Sequence, residues 1–80
     1  DEKYIDTVLE RLKAVPKGQY YVDMAVAWAL SVCFVKFWDK TLAVFDRETF
    51  GEFVFKKTIS KCVDSFRISA DKKEILKQMR

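Results

Sequence analysis

The pattern of apolar and polar positions changes along the chain at one long stretch, Tyr20–Lys36. Between Tyr20 and Val35 only Asp23 and Ser31 are polar. The stretch is rich in alanine, the best helix former, and is longer than a typical strand. It is too short to cross a bilayer, which needs about 20 apolar residues. Because a helix that is apolar all round must be covered on several sides, the sequence predicts a central buried helix here.

The segments on either side of this stretch are amphipathic and predict four more helices. Their expected ranges are Glu2–Val15, Lys40–Asp46, Glu52–Phe66 and Ala70–Met79. In each range the apolar residues recur at the spacing of one helix face, which we expect to point inward. The residues expected to point inward are Tyr4, Ile5, Val8, Leu9, Leu12, Val15, Leu42, Phe45, Phe55, Ile59, Cys62, Val63, Phe66, Ile75, Leu76 and Met79.

Helix-ending and helix-capping signals separate these segments. The tripeptide Pro16-Lys17-Gly18 ends the first helix, and so short a loop makes the first two helices antiparallel neighbours. Gly51 ends the connection Arg47–Gly51 and caps the next helix, so that Phe50 can pack on Phe55. Ser69 caps the last helix. The sequence therefore predicts an all-α fold of five helices in antiparallel pairs, either a small helical bundle or a length of α solenoid.

The composition indicates one folded domain over residues 1–80 that has an additional contact surface. Half of the residues are hydrophobic and 15% are aromatic, which is more aromatic surface than so small a core can bury. Some of that surface is expected to face another repeat, another chain or a ligand. The chain begins at Asp1 and shows no signal-peptide pattern, so we expect an excised fragment of a longer protein.

Candidate catalytic chemistry is sparse. The chain has no histidine and no glycine-rich phosphate loop, and neither cysteine has an obvious activating base. Cys33 and Cys62 are expected to be reduced core thiols of a cytoplasmic protein, although a disulfide stays open at this point. Two cysteines without histidine lack the four ligands of a zinc site. We therefore predict no catalytic residue, no metal and no cofactor, and interpret the aspartates as caps, turn residues or surface charges.

Positive charge is concentrated in the last part of the chain. Residues 1–50 hold 7 Lys and Arg against 8 Asp and Glu, and residues 51–80 hold 8 against 4, so −1 and +4 give the net +3. A basic face suits a phosphate-backbone binder, but from charge alone an ordinary solvated helix face is the favoured interpretation. Trp28 stands among small residues and is either core packing or an aromatic wall for a base or sugar. The residues of the basic face are Lys56, Lys57, Lys61 and Arg67.

The string YYVDMAVAWALSVC at Tyr20–Cys33 resembles the DNA alkylation repair family, the HEAT-like-repeat DNA glycosylases. The likeness continues in order through VKFWDKTLAVF, FGEFVFKKTISKCVDSFRIS and DKKEILKQMR, and covers roughly Tyr20–Arg80. Glu2–Val15 agrees only in helical character. The residues that carry the second half of the resemblance are Phe55, Lys61, Ser65 and Arg67.

The resemblance implies a fragment of a HEAT-like α solenoid, the C-terminal part of a protein that binds double-stranded DNA and excises N3- or N7-alkylated purines. By position, Trp28 matches an aromatic of the DNA-facing wall, and Lys57, Lys61 and Arg67 match basic positions of the following helix. The family's catalytic aspartate and arginine lie upstream and have no counterpart here. Ser31 stands where better-known members carry arginine, which removes a phosphate contact.

Two further expectations accompany the resemblance. The alternative to a glycosylase is a non-catalytic HEAT-like scaffold that binds protein or structured nucleic acid. If preceding repeats are missing, the first two helices expose apolar surface, and a homo-oligomer forms through that surface.

Overall fold

The computed structural model describes the backbone of residues 2–80 and the side chains of residues 3–80. The described residues form six helices and no strand, which confirms the all-α prediction. They pack into a globule with principal extents of 31 × 28 × 19 Å. The helices are α1 (Glu2–Ala14), α2 (Tyr20–Lys36), α3 (Trp38–Val44), α4 (Arg47–Phe50), α5 (Glu52–Val63) and α6 (Ala70–Met79).

The helix bounds agree with the sequence prediction at α2 and α6, end one residue early at α1, and differ at α3, α4 and α5. Helix α3 spans Trp38–Val44 rather than the predicted Lys40–Asp46. The predicted connection Arg47–Gly51 contains the single-turn helix α4. The side chain of Asp46 accepts a hydrogen bond from the amide of Thr49 at 2.7 Å and so caps this new helix. The predicted fourth helix ends at Val63 rather than at Phe66. Beyond it, the amide of Arg67 donates to Ser65 Oγ at 3.2 Å, which holds the chain in a turn.

The directions of the helices follow from the residues that share each groove. Tyr4 lies beside Lys36 and Val15 lies beside Tyr21, so α1 and α2 run antiparallel as predicted. The rings of Tyr20 and Phe53, at the beginnings of α2 and α5, have centroids 5.8 Å apart, and the ends of the two helices line one groove. Thus α2 and α5 run parallel, an arrangement that the prediction of antiparallel pairs did not include.

The core is centred on phenylalanine side chains contributed by four different segments. Phe45 stacks on Phe55 with ring centroids 4.7 Å apart, and meets Phe34 edge-on at 5.0 Å. The centroid of the Phe50 ring lies 6.3 Å from that of the Phe45 ring. The residues predicted to pack across Gly51, Phe50 and Phe55, are therefore both buried against Phe45. Such aromatic contacts contribute about 0.5–1.5 kcal/mol each beyond the apolar area that they bury.

Three residues predicted to face inward are exposed instead. Tyr4 is 67% exposed and Ile75 is 44% exposed, because these residues lie outside the stripe that α1 packs against α2 and α3 and the stripe that α6 packs against α5. Phe66 is fully exposed, since it lies in the turn after α5 and no longer on a helix face. Amphipathic spacing identified the correct buried side of each helix. The predicted buried stripe was wider than the stripe that neighbouring helices cover.

Candidate nucleic-acid interface

The central helix α2 is buried along one face only, which corrects the prediction that it is covered on several sides. Its exposed face is nevertheless apolar: Tyr21 is 85% exposed and Trp28 is 61% exposed. The buried residues recur at the spacing of one helix stripe, which the helices α1, α3 and α5 cover. These buried residues are Asp23, Val26, Ala27, Leu30, Cys33 and Phe34.

Trp28 lies at a groove between α2 and the end of α5. The groove has a volume of about 390 Å³, within the range of small-ligand sites. Three of the four residues predicted to bind DNA, Trp28, Lys61 and Arg67, line it together. The other lining residues are Ser31, Val32, Val35, Asp64 and Ser65.

Lys57, the fourth predicted residue, does not line this groove. Its ammonium group lies 6.0 Å from the centroid of the Phe53 ring, one turn before Lys61 on α5. At that distance the contact is at the outer limit of a cation–π interaction. Lys57 therefore extends the positive surface along α5 without contributing to the groove.

The cations of the groove differ from several others on the surface in having no acidic partner. Neither Lys61 nor Arg67 forms an ion pair with any residue from 3 to 80. Among residues 3–80, Asp64 is the single carboxylate that lines the groove, so the described lining carries two positive charges and one negative charge. Basic residues that do form ion pairs elsewhere are Lys13, Lys40, Arg47 and Lys56.

The two serines of the groove use their hydroxyl groups for local backbone contacts. Ser31 Oγ donates to the carbonyl oxygen of Trp28 at 2.6 Å, and Ser65 Oγ accepts from the amide of Arg67. The hydroxyl hydrogen of Ser31 is therefore engaged within α2, whereas phosphate oxygens need donors. Lys61 and Arg67 are the charged donors that remain for an anion in the groove.

Phe66 was predicted to face inward, but it lies on the surface next to the groove. Its neighbours Ser65 and Arg67 both line the groove, and its own side chain is fully exposed. The signal available in the sequence was the pair Asp64-Ser65. Both residues form helices poorly and favour turns, which indicates an earlier helix end.

Neither cysteine is suited to nucleophilic chemistry. Burial raises the pKa of Cys33 and raises the pKa of Cys62 to about 12, and both are free thiols as predicted. A thiol that stays protonated near neutral pH is a poor nucleophile. Within residues 3–80, no three His, Cys, Asp or Glu side chains cluster so that they could hold a metal ion.

No helix in the described part of the chain is long and apolar enough to cross a membrane. No family model matches the chain, and comparisons with curated proteins and with solved structures also give no match. The resemblance to the DNA alkylation repair family therefore stays a prediction from the residues quoted above.

Proposed function

We propose that this chain is the DNA-binding, C-terminal helical-repeat part of a DNA alkylation repair protein, and that the groove between α2 and α5 contacts DNA. The observation that carries the proposal is the shared location of Trp28, Lys61 and Arg67 in that groove. Cations without acidic partners favour phosphate binding through counterion release. An exposed indole beside them supplies an aromatic surface for a base or sugar.

The exposed apolar face of α2 supports the solenoid part of the proposal. Tyr20, Tyr21 and Val22 are exposed at the beginning of the helix, where an apolar groove of about 410 Å³ runs between α1 and α2. A single helical repeat cannot bury all of its apolar surface, and stacking against a neighbouring repeat completes the core. The parallel arrangement of α2 and α5 also fits the stacking of successive repeats.

In the proposed role the chain supplies binding, and the reaction belongs to residues outside it. The substrate is double-stranded DNA with an N3- or N7-alkylated purine, whose positive charge makes the base a good leaving group. An aspartate elsewhere in the protein stabilises the positive charge that develops on the sugar. The free thiols Cys33 and Cys62 suit the reducing cytoplasm.

The proposal is tested by fluorescence anisotropy of a labelled DNA duplex, titrated with the chain over a series of salt concentrations. We expect affinity to fall with salt at a slope of about 0.9 per phosphate contacted. Trp28→Ala is expected to weaken binding of the duplex by about 5-fold or more, which corresponds to the loss of about 1 kcal/mol of contact between the indole and the DNA.

Tyr21→Ala is the matched control, because Tyr21 is an exposed aromatic of the same helix that does not line the groove. It is expected to leave DNA affinity unchanged. An absence of binding even at low salt, or equal losses in the two variants, would reject the proposed interface. Binding to a protein partner without binding to DNA would instead favour the scaffold alternative.

A further inference from the structure

The turn between α5 and α6 presents an aromatic ring to solvent. Phe66 is fully exposed, whereas Ile68, two residues later, is 5% exposed and belongs to the core. The hydrogen bond between the Arg67 amide and Ser65 Oγ closes the turn, and Ser69 caps α6 by accepting from the Lys72 amide at 3.3 Å. The segment that carries the ring is therefore short and anchored on both sides of it.

The residues on either side of Phe66 line a groove that combines aromatic and cationic groups. Arg67 follows Phe66 in the chain and lines the groove with Lys61 and Trp28. Proteins that bind single-stranded nucleic acid use this combination, in which cations follow the phosphates and aromatic rings stack on successive bases. In an intact duplex the bases are already stacked on one another, so their faces cannot stack on exposed rings.

We infer that Phe66 and Trp28 are stacking surfaces for unpaired bases, so that this surface binds DNA with locally unpaired nucleotides more tightly than fully paired DNA. The inference rests on the proposed function and narrows its substrate class. The positive charges of Lys61 and Arg67, which have no ion-pair partner among residues 3–80, favour nucleic acid over a protein partner for this surface.

The experiment compares the dissociation constants of a short duplex and of the same duplex with a few unpaired nucleotides at its centre. We expect the unpaired site to bind about 5-fold to about 100-fold more tightly, the range that stacking of one base provides. Phe66→Ala is expected to remove most of this preference while salt-dependent binding of the paired duplex persists. Phe66→Leu, which keeps an apolar side chain without a ring, is expected to behave like Phe66→Ala.

Ile75→Ala is the control, since Ile75 is an exposed apolar residue on α6. It is expected to retain the full preference for unpaired nucleotides. Equal affinity for the two DNAs, or a preference that survives Phe66→Ala, overturns the inference while leaving the proposed duplex binding in place. An absence of salt-dependent binding to either DNA overturns both. Because Phe66 is outside the core, circular dichroism of its variants is expected to match that of the wild-type chain.

Discussion

Both carboxylate oxygens of Asp23 accept a hydrogen bond from the backbone amide of Gly18, at 3.3 and 3.2 Å. Asp23 lies in the first turn of α2 and is 7% exposed, so this acidic residue belongs to the interior rather than to the surface. Gly18 has φ of 110°, a backbone conformation that favours glycine. The contact therefore ties the loop after α1 to the beginning of α2, where a negative charge also interacts favourably with the helix dipole.

Replacement of Asp23 is expected to destabilise the fold. Asp23→Ala leaves the Gly18 amide without its acceptor, and we expect the free energy of unfolding to fall by about 1–3 kcal/mol. Asp23→Asn keeps one acceptor oxygen and is expected to lose less. Urea denaturation followed by circular dichroism measures both. Asp39→Ala, which removes an exposed acidic residue from the first turn of α3, is the control, and an equal loss in that variant would contradict the role of Asp23.

The elements whose ends are fixed by local chemistry could be predicted from the sequence. The last helix has the predicted range Ala70–Met79, and Ser69 caps it as expected. The burial of α2 could not be predicted, because its sequence is apolar on all sides. Only the packing of α1, α3 and α5 determines which of its residues are covered. Amphipathic spacing therefore gave the helices, and tertiary contacts determined their exposed faces.

The candidate site was predictable in part for a similar reason. Charge and resemblance identified Trp28, Lys61 and Arg67, and the structure brings these three residues to one groove. Helical spacing alone does not say which turn of α5 lies beside which turn of α2. The sequence therefore could not show that Lys61 lines the groove and Lys57 does not. Phe66 was placed wrongly because the helix was extended through the turn at Asp64.

Two buried threonines differ in whether the hydroxyl group has a hydrogen-bond partner. Thr58 Oγ1 donates to the carbonyl oxygen of Val54 at 2.7 Å, whereas Thr41 Oγ1 has no partner among the described residues. A buried polar group without a partner costs about 1–3 kcal/mol. Thr41→Val is therefore expected to raise the free energy of unfolding by about 1 kcal/mol, and Thr58→Val to lower it by a similar amount.

Chemical denaturation of these two variants, compared with the wild-type chain, tests the difference. The substitutions are identical and both sites are fully buried, so the change in side-chain volume cancels between them. Destabilisation of similar size in both variants would show that the Thr41 hydroxyl is satisfied in solution.

The buried thiol of Cys62 makes the stability of the fold depend on alkaline pH. Its pKa is raised by burial from 9.0 to about 12, so the folded state favours the protonated thiol. The resulting stability is fully present below pH 9.0 and is lost as pH rises towards about 12. Cys62→Ala is expected to be less stable at neutral pH, because it leaves a cavity, but to lose less stability over this alkaline range.

Urea denaturation midpoints below pH 9.0 and between pH 9.0 and about 12 provide the measurement. All other titratable groups are common to the wild-type chain and the variant, so only the difference between the two slopes of stability against pH reports on Cys62. Equal slopes would contradict the prediction.

The exposed apolar face at the beginning of α2 is expected to make the isolated chain self-associate. Tyr21 and Val22 line a groove with Leu12 and Val15 of α1 and the following loop, and apolar patches beyond a few hundred Å² tend to find a partner. Sedimentation velocity over a range of concentrations is expected to show a dimer. Tyr21→Asp is expected to shift the equilibrium from dimer to monomer, whereas Tyr21→Phe is expected to keep the dimer. A chain that stays monomeric at high concentration would contradict this use of the surface.

Replacing the basic residues of the groove and replacing its acidic residue are expected to change DNA affinity in opposite directions. Lys61→Gln and Arg67→Gln each remove one phosphate contact, so each is expected to reduce the salt slope by about 1 and to weaken binding regardless of DNA sequence. Asp64→Asn removes the one carboxylate that lines the groove within the described part of the chain, and is expected to tighten binding. Lys77→Gln is the matched control, because Lys77 is an exposed lysine of α6 that does not line the groove. Anisotropy titrations over a salt series measure all four variants. If Lys77→Gln reduced the slope as much as Lys61→Gln, binding would depend on overall charge, and the groove would have no special role.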